Sequence, residues 1–321
     1  MRTPETASST MHSISASSGS PSEPPRALAE RFPHRAARWV LRDSVLEFDR
    51  NPRLMGIVNV TPDSFSDGGQ FFSHQAAVEH GLRLVEEGAD LLDVGGESTR
   101  PYSAPVSLEE ELRRVLPVIE RLAATTRVPI SIDTSKAKVA EEALAAGAQV
   151  INDVTGMAGD PRMVEVALES SAGVCAMHMK GTPATMQDHP EYDDVVAEID
   201  QYLGARRDAL RGAGIDPERI CLDPGIGFGK THQHNLTLHA QVGRFHRWGC
   251  PLLVGHSRKG YLAKILGDAD ADRTQVTVGS ALALASAGVQ VIRVHDVRPL
   301  REALLGFVAT GGVDGREWRI G

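Results

Sequence analysis

Cysteine is scarce in this chain of 321 residues. The three cysteines, Cys175, Cys221 and Cys250, lie in or beside apolar stretches and lack the close spacing of metal ligands. Their number and placement also exclude the disulfide framework of a small secreted domain. We therefore expect three buried thiols in a reducing compartment, which predicts a cytoplasmic protein.

Basic charge and long apolar runs are also in short supply. The chain has 34 Lys and Arg against 42 Asp and Glu, giving a net charge of −8. This balance argues against nucleic acid or an anionic membrane as a partner. No window approaches the roughly 20 consecutive apolar residues of a membrane span. If the protein binds an anion, it must use a few locally placed cations and backbone N–H groups.

The N-terminal region lacks the composition of a folded domain. Residues 1–25 contain eight Ser and four Pro and no apolar stretch typical of a signal peptide. We predict a disordered tail over residues 1–30. The sequence "RWVLRDSVLEFDR", residues 38–50, alternates apolar and polar side chains around Arg42 and Asp43, which predicts a short β-hairpin before the main fold.

From Leu54 onward one pattern recurs eight times: a short apolar strand, a polar or Gly-rich break, and an amphipathic helical stretch. Continuous apolar strands are typical of a parallel sheet covered on both faces. Eight such units over roughly 250 residues predict an α/β fold, a (β/α)8 TIM barrel spanning residues 38–315. The alternative is a doubly wound open sheet, but no G-x-G-x-x-G follows the first strand. The predicted strands are 54–60, 91–95, 129–134, 150–153, 174–179, 220–225, 252–257 and 291–296.

Every predicted strand delivers a polar side chain where its apolar run stops. Each such residue taken alone could cap the following helix. All eight together favour an active site, because a (β/α)8 barrel builds its site at the carboxyl ends of the strands. In strand order these residues are Asn59, Asp93 with Glu97, Asp133, Asn152, His178, Asp223, Ser257 with Lys259, and Arg293 with His295.

The strand-end residues fall into two chemical groups. Asp133, Asn152 and Asp223 offer hydrogen-bond acceptors and an amide in an apolar funnel, which suits a flat heterocycle with an amino-amidine edge. The second group is "GHSRKG", residues 255–260, together with "RVH", residues 293–295. Its Ser, Lys, Arg and His side chains, with backbone N–H groups at a helix start, predict a site for an anion such as phosphate.

Seven motifs together resemble the dihydropteroate synthases, the pterin-binding barrels of folate biosynthesis. They are "MGIVNVTPDSFSDGG", "DVGGESTRP", "SIDT", "IND", "DPGIGFGKT", "SRKG" and "RVHD", and the resemblance covers about residues 38–310. It implies condensation of (7,8-dihydropterin-6-yl)methyl diphosphate with p-aminobenzoate to give 7,8-dihydropteroate and pyrophosphate. It also implies Mg²⁺ as cofactor and membership of an enzyme class that sulfonamides target, and we expect a homodimer.

The resemblance also implies roles for individual residues. Pyrophosphate would leave first, and the arylamine would then attack a pterin-stabilised cation. As catalytic residues it suggests Asp67, Arg100, Lys259, Arg293 and His295, with Asp67 stabilising the cation or receiving the amine proton. The pterin-binding residues would be Asp133, Asn152, Asp223 and Lys259, with Met177 against the ring; the diphosphate would be bound by Thr99, Ser257, Arg293 and His295. Phe228 would line the aminobenzoate slot, Phe65, Asp67, Arg100 and Pro101 would lie on two mobile loops, and Asn59 would help to hold Mg²⁺.

Two other functions are compatible with a pterin pocket. A pterin-dependent methyltransferase barrel passes a methyl group to a corrinoid protein and needs no diphosphate ligands, so the two cationic motifs count against it. A non-catalytic pterin-binding paralogue would be expected to have lost a mobile-loop residue, yet Asp67, Thr99 and Arg100 are all present.

Overall fold

The described residues form a closed barrel of eight parallel strands, as predicted. The computed structural model describes residues 27–61 and 69–316. The predicted tail therefore lies almost entirely outside the described residues, as do Phe65 and Asp67. The strands in chain order are β1 (Arg38–Val40), β2 (Val45–Glu47), β3 (Arg53–Asn59), β4 (Leu91–Gly95), β5 (Ile130–Asp133), β6 (Val150–Asp153), β7 (Gly173–Met177), β8 (Ile220–Asp223), β9 (Leu253–Gly255) and β10 (Val291–Val294).

Strands β3 to β10 make one parallel sheet in the order β8-β7-β6-β5-β4-β3-β10-β9. A parallel bridge between Leu222 and Leu252 joins β8 to the start of β9 and closes the ring. The helices that surround it are α2 (Gly69–Glu86), α3 (Leu108–Thr125), α4 (Ala137–Ala145), α5 (Met163–Ser170), α6 (Val195–Gly212), α7 (His232–Gln241), α8 (Gly260–Leu266), α9 (Thr274–Ser286) and α10 (Val297–Ala309), after a short α1 (Leu28–Arg31). None of the helices within the described ranges is long and apolar enough to cross a bilayer.

The antiparallel pair β1–β2 is the predicted hairpin, and it closes the amino-terminal end of the barrel. Trp39 is fully buried there, and its indole N–H donates to the Arg219 carbonyl at 2.9 Å. We call the apolar cluster that this hairpin shares with the first inward-facing residues of the strands the plug. Its members are Trp39, Leu41, Phe48, Met55, Leu91, Val150, Cys175, Cys221, Leu253 and Val291.

Several strands end earlier than predicted. His178, Ser257 and His295 lie one or two residues beyond the ends of β7, β9 and β10. The last ladder is interrupted because the His295 N–H approaches the Ser257 hydroxyl, at 3.3 Å, rather than a strand carbonyl. Asp93, by contrast, is not at the end of its strand: it lies in the middle of β4 and is therefore deeper in the barrel than predicted.

Candidate active site

A half-buried arginine between two carboxylates forms the floor of the carboxyl-terminal end. Arg293 on β10 donates from Nε to Asp93 Oδ2 at 2.6 Å and from Nη2 to Asp133 Oδ2 at 2.9 Å. Asn152 donates from Nδ2 to the same oxygen of Asp93, at 3.1 Å. Asp93 Oδ1 is buried without a hydrogen-bond partner among the described residues. In this structure Arg293, predicted to bind an anion, therefore holds two carboxylates.

Burial and charge pairing together determine the pKa values of the floor residues. It raises the pKa of Asp133 to about 7, against the opposing effect of Arg293, and the carboxylate of Asp93 adds to the rise. Burial would lower the pKa of Arg293, but Asp93 and Asp133 outweigh it and the pKa is raised. Arg293 thus stays a cation, and Asp133 exchanges its proton near neutral pH. A ligand edge rich in N–H groups would stabilise the ionised carboxylate.

Across the funnel lie two further ionisable side chains of opposite charge, Asp223 and Lys259. Asp223 ends β8, accepts the Gly225 N–H at 2.7 Å, and has a pKa raised by burial. Lys259 donates to the Ile226 carbonyl, and its Nζ lies 4.3 Å from the centre of the Phe228 ring. Burial lowers the pKa of Lys259 to about 7, with Asp223 opposing. The structure therefore brings lysine, carboxylate and aromatic face together.

A buried lysine that the sequence analysis did not assign supports this wall. Lys230 is 2% exposed, and its Nζ lies 3.0 Å from His178 Nδ1 and 2.8 Å from the Phe228 carbonyl. Burial lowers the pKa of Lys230 well below its usual range. Burial and then Lys230 lower the pKa of His178 to about 3, so this imidazole is neutral. The signal in the sequence was a lysine directly after the Gly-rich "DPGIGFG", where a solvated side chain has little room.

The predicted anion group also assembles, around a neutral imidazole. His295 Nδ1 lies 3.0 Å from the Ser257 hydroxyl. Burial, followed by the charges of Arg293, Arg258 and Arg100, lowers the pKa of His295 to about 3. Arg258 itself turns away to pair with Asp296, donating from Nε at 2.9 Å. An anion placed here would reverse the electrostatic part of the shift and favour a proton on His295.

The loop between β4 and α3, which we call the rim loop, carries three of the predicted residues. Thr99 is half-buried, and Arg100 and Pro101 are exposed. The next residue, Tyr102, has a positive φ of 63°, a conformation that is costly for a bulky side chain. Its hydroxyl donates to Asp188 Oδ1 at 3.1 Å, and its N–H donates to the Pro183 carbonyl at 3.1 Å. The rim loop is thereby joined to the loop after β7.

Two further predictions concern residues beside the funnel. Met177 ends β7 and is the ladder partner of Asp223, which places the two residues side by side in the wall of the funnel. Glu97 was predicted at a strand end; it lies two residues beyond the end of β4 and pairs with Lys136.

Asn59 fits the metal role in its donor chemistry. It is the last residue of β3 and half-buried. Within residues 27–61 and 69–316, no group of three or more His, Cys, Asp or Glu could hold a metal ion. A single neutral oxygen suits Mg²⁺, which keeps several waters and takes substrate phosphates as ligands, rather than a metal that needs a full protein cage.

Comparison with known proteins gives one consistent result. The family described as "Pterin binding enzyme" matches residues 55–295. The dihydropteroate synthase of Escherichia coli (strain K12) is 46% identical over 260 residues, which cover 81% of this chain and 92% of that protein. The Xanthomonas albilineans dihydropteroate synthase with 4-aminobenzoic acid superimposes with a TM-score of 0.80 at 46% identity, over 87% of this chain and 99% of that one. The Yersinia pestis dihydropteroate synthase in complex with a sulfonamide drug gives 0.80 at 43% identity, over 86% and 99%.

Proposed function

The chain belongs to the dihydropteroate synthases of the pterin-binding enzyme family, and from this we propose the reaction that it catalyses. It condenses (7,8-dihydropterin-6-yl)methyl diphosphate with p-aminobenzoate, giving 7,8-dihydropteroate and releasing pyrophosphate. The observation that carries the proposal is the juxtaposition of two carboxylates, the half-buried Asp133 and the buried Asp223, with the Ser257–His295 pair on the neighbouring strand ends. A pterin edge and a diphosphate need these two environments side by side.

The pterin end is bound through hydrogen bonds that stabilise charge. Ionised Asp133 and Asp223 each accept N–H groups of the pterin, and Asn152 and Lys259 supply donors. Both carboxyl groups have raised pKa values because of burial. Ligand N–H donors would compensate that burial, so binding and ionisation reinforce each other.

The diphosphate end stabilises the leaving group. Arg293, Ser257 and His295 surround the departing pyrophosphate, with Thr99 reaching it from the rim loop. When bound by Asn59 and the diphosphate oxygens, Mg²⁺ would supply Lewis-acid stabilisation of the leaving charge. The fixed cation of Arg293 acts in a desolvated site, where electrostatic stabilisation of the transition state is strongest. His295 is neutral before substrate arrives and can take up a proton as the anion approaches.

The aminobenzoate slot lies at the other side of Lys259. The Phe228 ring below Lys259 Nζ offers an apolar wall with a cation beside it, which suits an aryl ring that carries a carboxylate. Arg100 and Pro101 close this slot from the rim loop. A sulfonamide occupies the same slot in our proposal.

One assay tests the reaction directly. The full-length protein is mixed with the pterin diphosphate and Mg²⁺, with and without p-aminobenzoate, and pyrophosphate release and the pterin product are measured. We expect stoichiometric pyrophosphate and dihydropteroate when both substrates are present. Pterin binding without turnover would favour the non-catalytic paralogue. Methyl transfer from a methylated pterin to a corrinoid protein would favour the methyltransferase alternative.

We also propose a homodimer in the reducing cytoplasm. Leu236 on α7 and Ile265 and Leu266 on α8 are exposed apolar side chains that an interface would cover. The three cysteines are free and buried. Sedimentation analysis should give about twice the monomer mass, and Ile265→Asp should shift the protein toward monomer.

A further inference from the structure

Beneath the rim loop lies a set of charged residues that the reaction does not use. Lys136 Nζ donates to the carboxylate of Glu97 and to Glu111 Oε2, the latter at 2.6 Å. Glu111 on α3 is fully buried, and its other oxygen accepts the Thr134 hydroxyl at 2.7 Å. We call these four residues the stem cluster. It connects the loop after β4 with α3 and with the segment between β5 and α4.

Glu97 closes the neck of the rim loop. Its Oε1 accepts the N–H of Val106, nine residues further on, at 3.2 Å. The preceding carbonyl, of Gly96, accepts Arg114 Nη1 at 2.8 Å. A Cβ at Gly96 would lie 2.8 Å from Val115, so the backbone is packed directly on α3. Residues 98–105 are therefore a loop whose two ends are fixed at one point.

The tip of this loop has its own internal structure. Ser103 donates from Oγ to the Arg100 carbonyl at 2.8 Å, and its N–H donates to the same carbonyl at 3.2 Å. The tip is therefore held at the neck and, through Tyr102, at the loop after β7, and the direction in which Arg100 points depends in part on how the neck is held.

Lys136 is the member on which the stem cluster depends. Burial would lower its pKa, but the hydrogen bonds that it donates to Glu111 and Glu97 outweigh this and raise the pKa, so the ammonium stays charged. Without it, two carboxylates would face each other, and one of them, Glu111, is fully buried. Removing one partner of a buried ion pair leaves an uncompensated charge, and the half-buried Glu97 is the one free to move away.

We propose that Lys136 is a positioning residue: through Glu97 it fixes the neck of the rim loop and so sets the affinity of the site for the arylamine. It touches neither substrate. The proposal rests on the proposed function, because it concerns the second substrate of that reaction.

The test compares Lys136→Met with Lys138→Met, a matched control. Lys138 lies two residues further on, in α4, is 45% exposed and pairs with Glu142 at 2.6 Å. For Lys136→Met we expect the KM for p-aminobenzoate, and the Kd of a sulfonamide with pyrophosphate, Mg²⁺ and pterin present, to rise by about tenfold or more. The Kd for the pterin should stay within about twofold, and hydrogen exchange should speed up at residues 98–105. Lys136→Arg should restore all three, and Glu97→Gln should reproduce the Met variant.

Two results would overturn the proposal. One is a Lys136→Met protein that matches Lys138→Met in KM and exchange. The other is an equal loss of pterin and arylamine affinity, which would indicate general damage to the fold. If the unsubstituted protein released no pyrophosphate, the proposed reaction would be wrong. Hydrogen exchange at residues 98–105 would still show whether Lys136 and Glu97 hold the neck of the rim loop.

Discussion

The two ends of the barrel are built from the same strands and differ completely in character. At the amino-terminal end the inward-facing residues Leu91, Val150 and Val291 belong to the plug. One inward position later, two residues along the same strands, stand Asp93, Asn152 and Arg293. A strand advances roughly 6.6 Å over two residues, so this distance separates the apolar plug from the charged floor. Stability and chemistry are thus separated along the barrel axis and not between domains.

The largest effect should come from breaking the plug. Trp39→Ala removes a fully buried aromatic side chain and its hydrogen bond to Arg219, and we expect a loss of about 3–5 kcal/mol in the free energy of unfolding. Urea denaturation measures this. Val45→Ala, in the same hairpin but 47% exposed, is the control and should change stability by less than about 0.5 kcal/mol. Pterin affinity of the folded Trp39→Ala protein should be unchanged; a parallel loss would show that the two ends are not independent.

A substitution at the opposite end should reverse this pattern. Asp223→Asn keeps an oxygen for the Gly225 N–H but places an amide donor opposite the donors of the pterin. We expect pterin binding to weaken by about 1–3 kcal/mol, because a buried donor is left unpaired, with little change in stability. Isothermal calorimetry with the pterin alcohol measures the affinity. Unchanged affinity would place Asp223 outside the pterin site.

The rim loop should have a smaller effect, visible for the second substrate. If the aminobenzoate slot is completed only when the loops close over pyrophosphate, few free molecules are competent to bind, and apparent affinity falls in proportion. A sulfonamide should therefore bind at least about tenfold, or 1.4 kcal/mol, more tightly when pyrophosphate, Mg²⁺ and a pterin are present. Arg100→Ala should abolish this enhancement and leave binary pterin binding intact. Equal sulfonamide affinity with and without pyrophosphate would contradict ordered closure.

A separate effect concerns the pH dependence that the charged floor gives to the stability of the protein. Because burial raises the pKa of Asp133 to about 7, the folded protein keeps a proton that the unfolded chain releases from about pH 4 upward. The free energy of unfolding should therefore fall as the pH rises from about 4 to about 7. Asp133→Asn should flatten this slope in urea titrations at several pH values. The exposed Asp43→Asn should preserve it, and an unchanged slope in Asp133→Asn would rule out this origin.

The sequence was sufficient for the barrel and for most of the funnel. Apolar runs bounded by polar breaks located all eight strands to within two residues at most ends, and the carboxyl ends of parallel strands must converge. Asp133, Asn152 and Asp223 follow from that rule. The depth of Asp93 does not, because a continuous apolar run hides which side chains face inward.

What the sequence did not provide is the pairing of charges. Arg293 was predicted as an anion ligand, and only side-chain geometry reveals its bonds to Asp93 and Asp133. Lys136 contacts Glu97 and Glu111, which lie 39 and 25 positions away in the sequence. A local sequence pattern cannot predict partners at such separations. The roles of Phe65, Asp67 and Mg²⁺, and the dimer, stay predictions.

The plug has a consequence for how the protein is made. Trp39 leaves the ribosome first, whereas Val291, at the far side of the same cluster, follows 252 positions later (291 minus 39). At roughly 5–20 residues per second, the interval is on the order of ten to fifty seconds. During that time the strand residues of the plug are not all present, so the hairpin cannot bury its aromatic face. That face is then available to chaperones or to neighbouring nascent chains. In a variant with Trp248→Phe and Trp318→Phe, a change in Trp39 fluorescence should therefore mark the last step of folding, when β10 completes the ring.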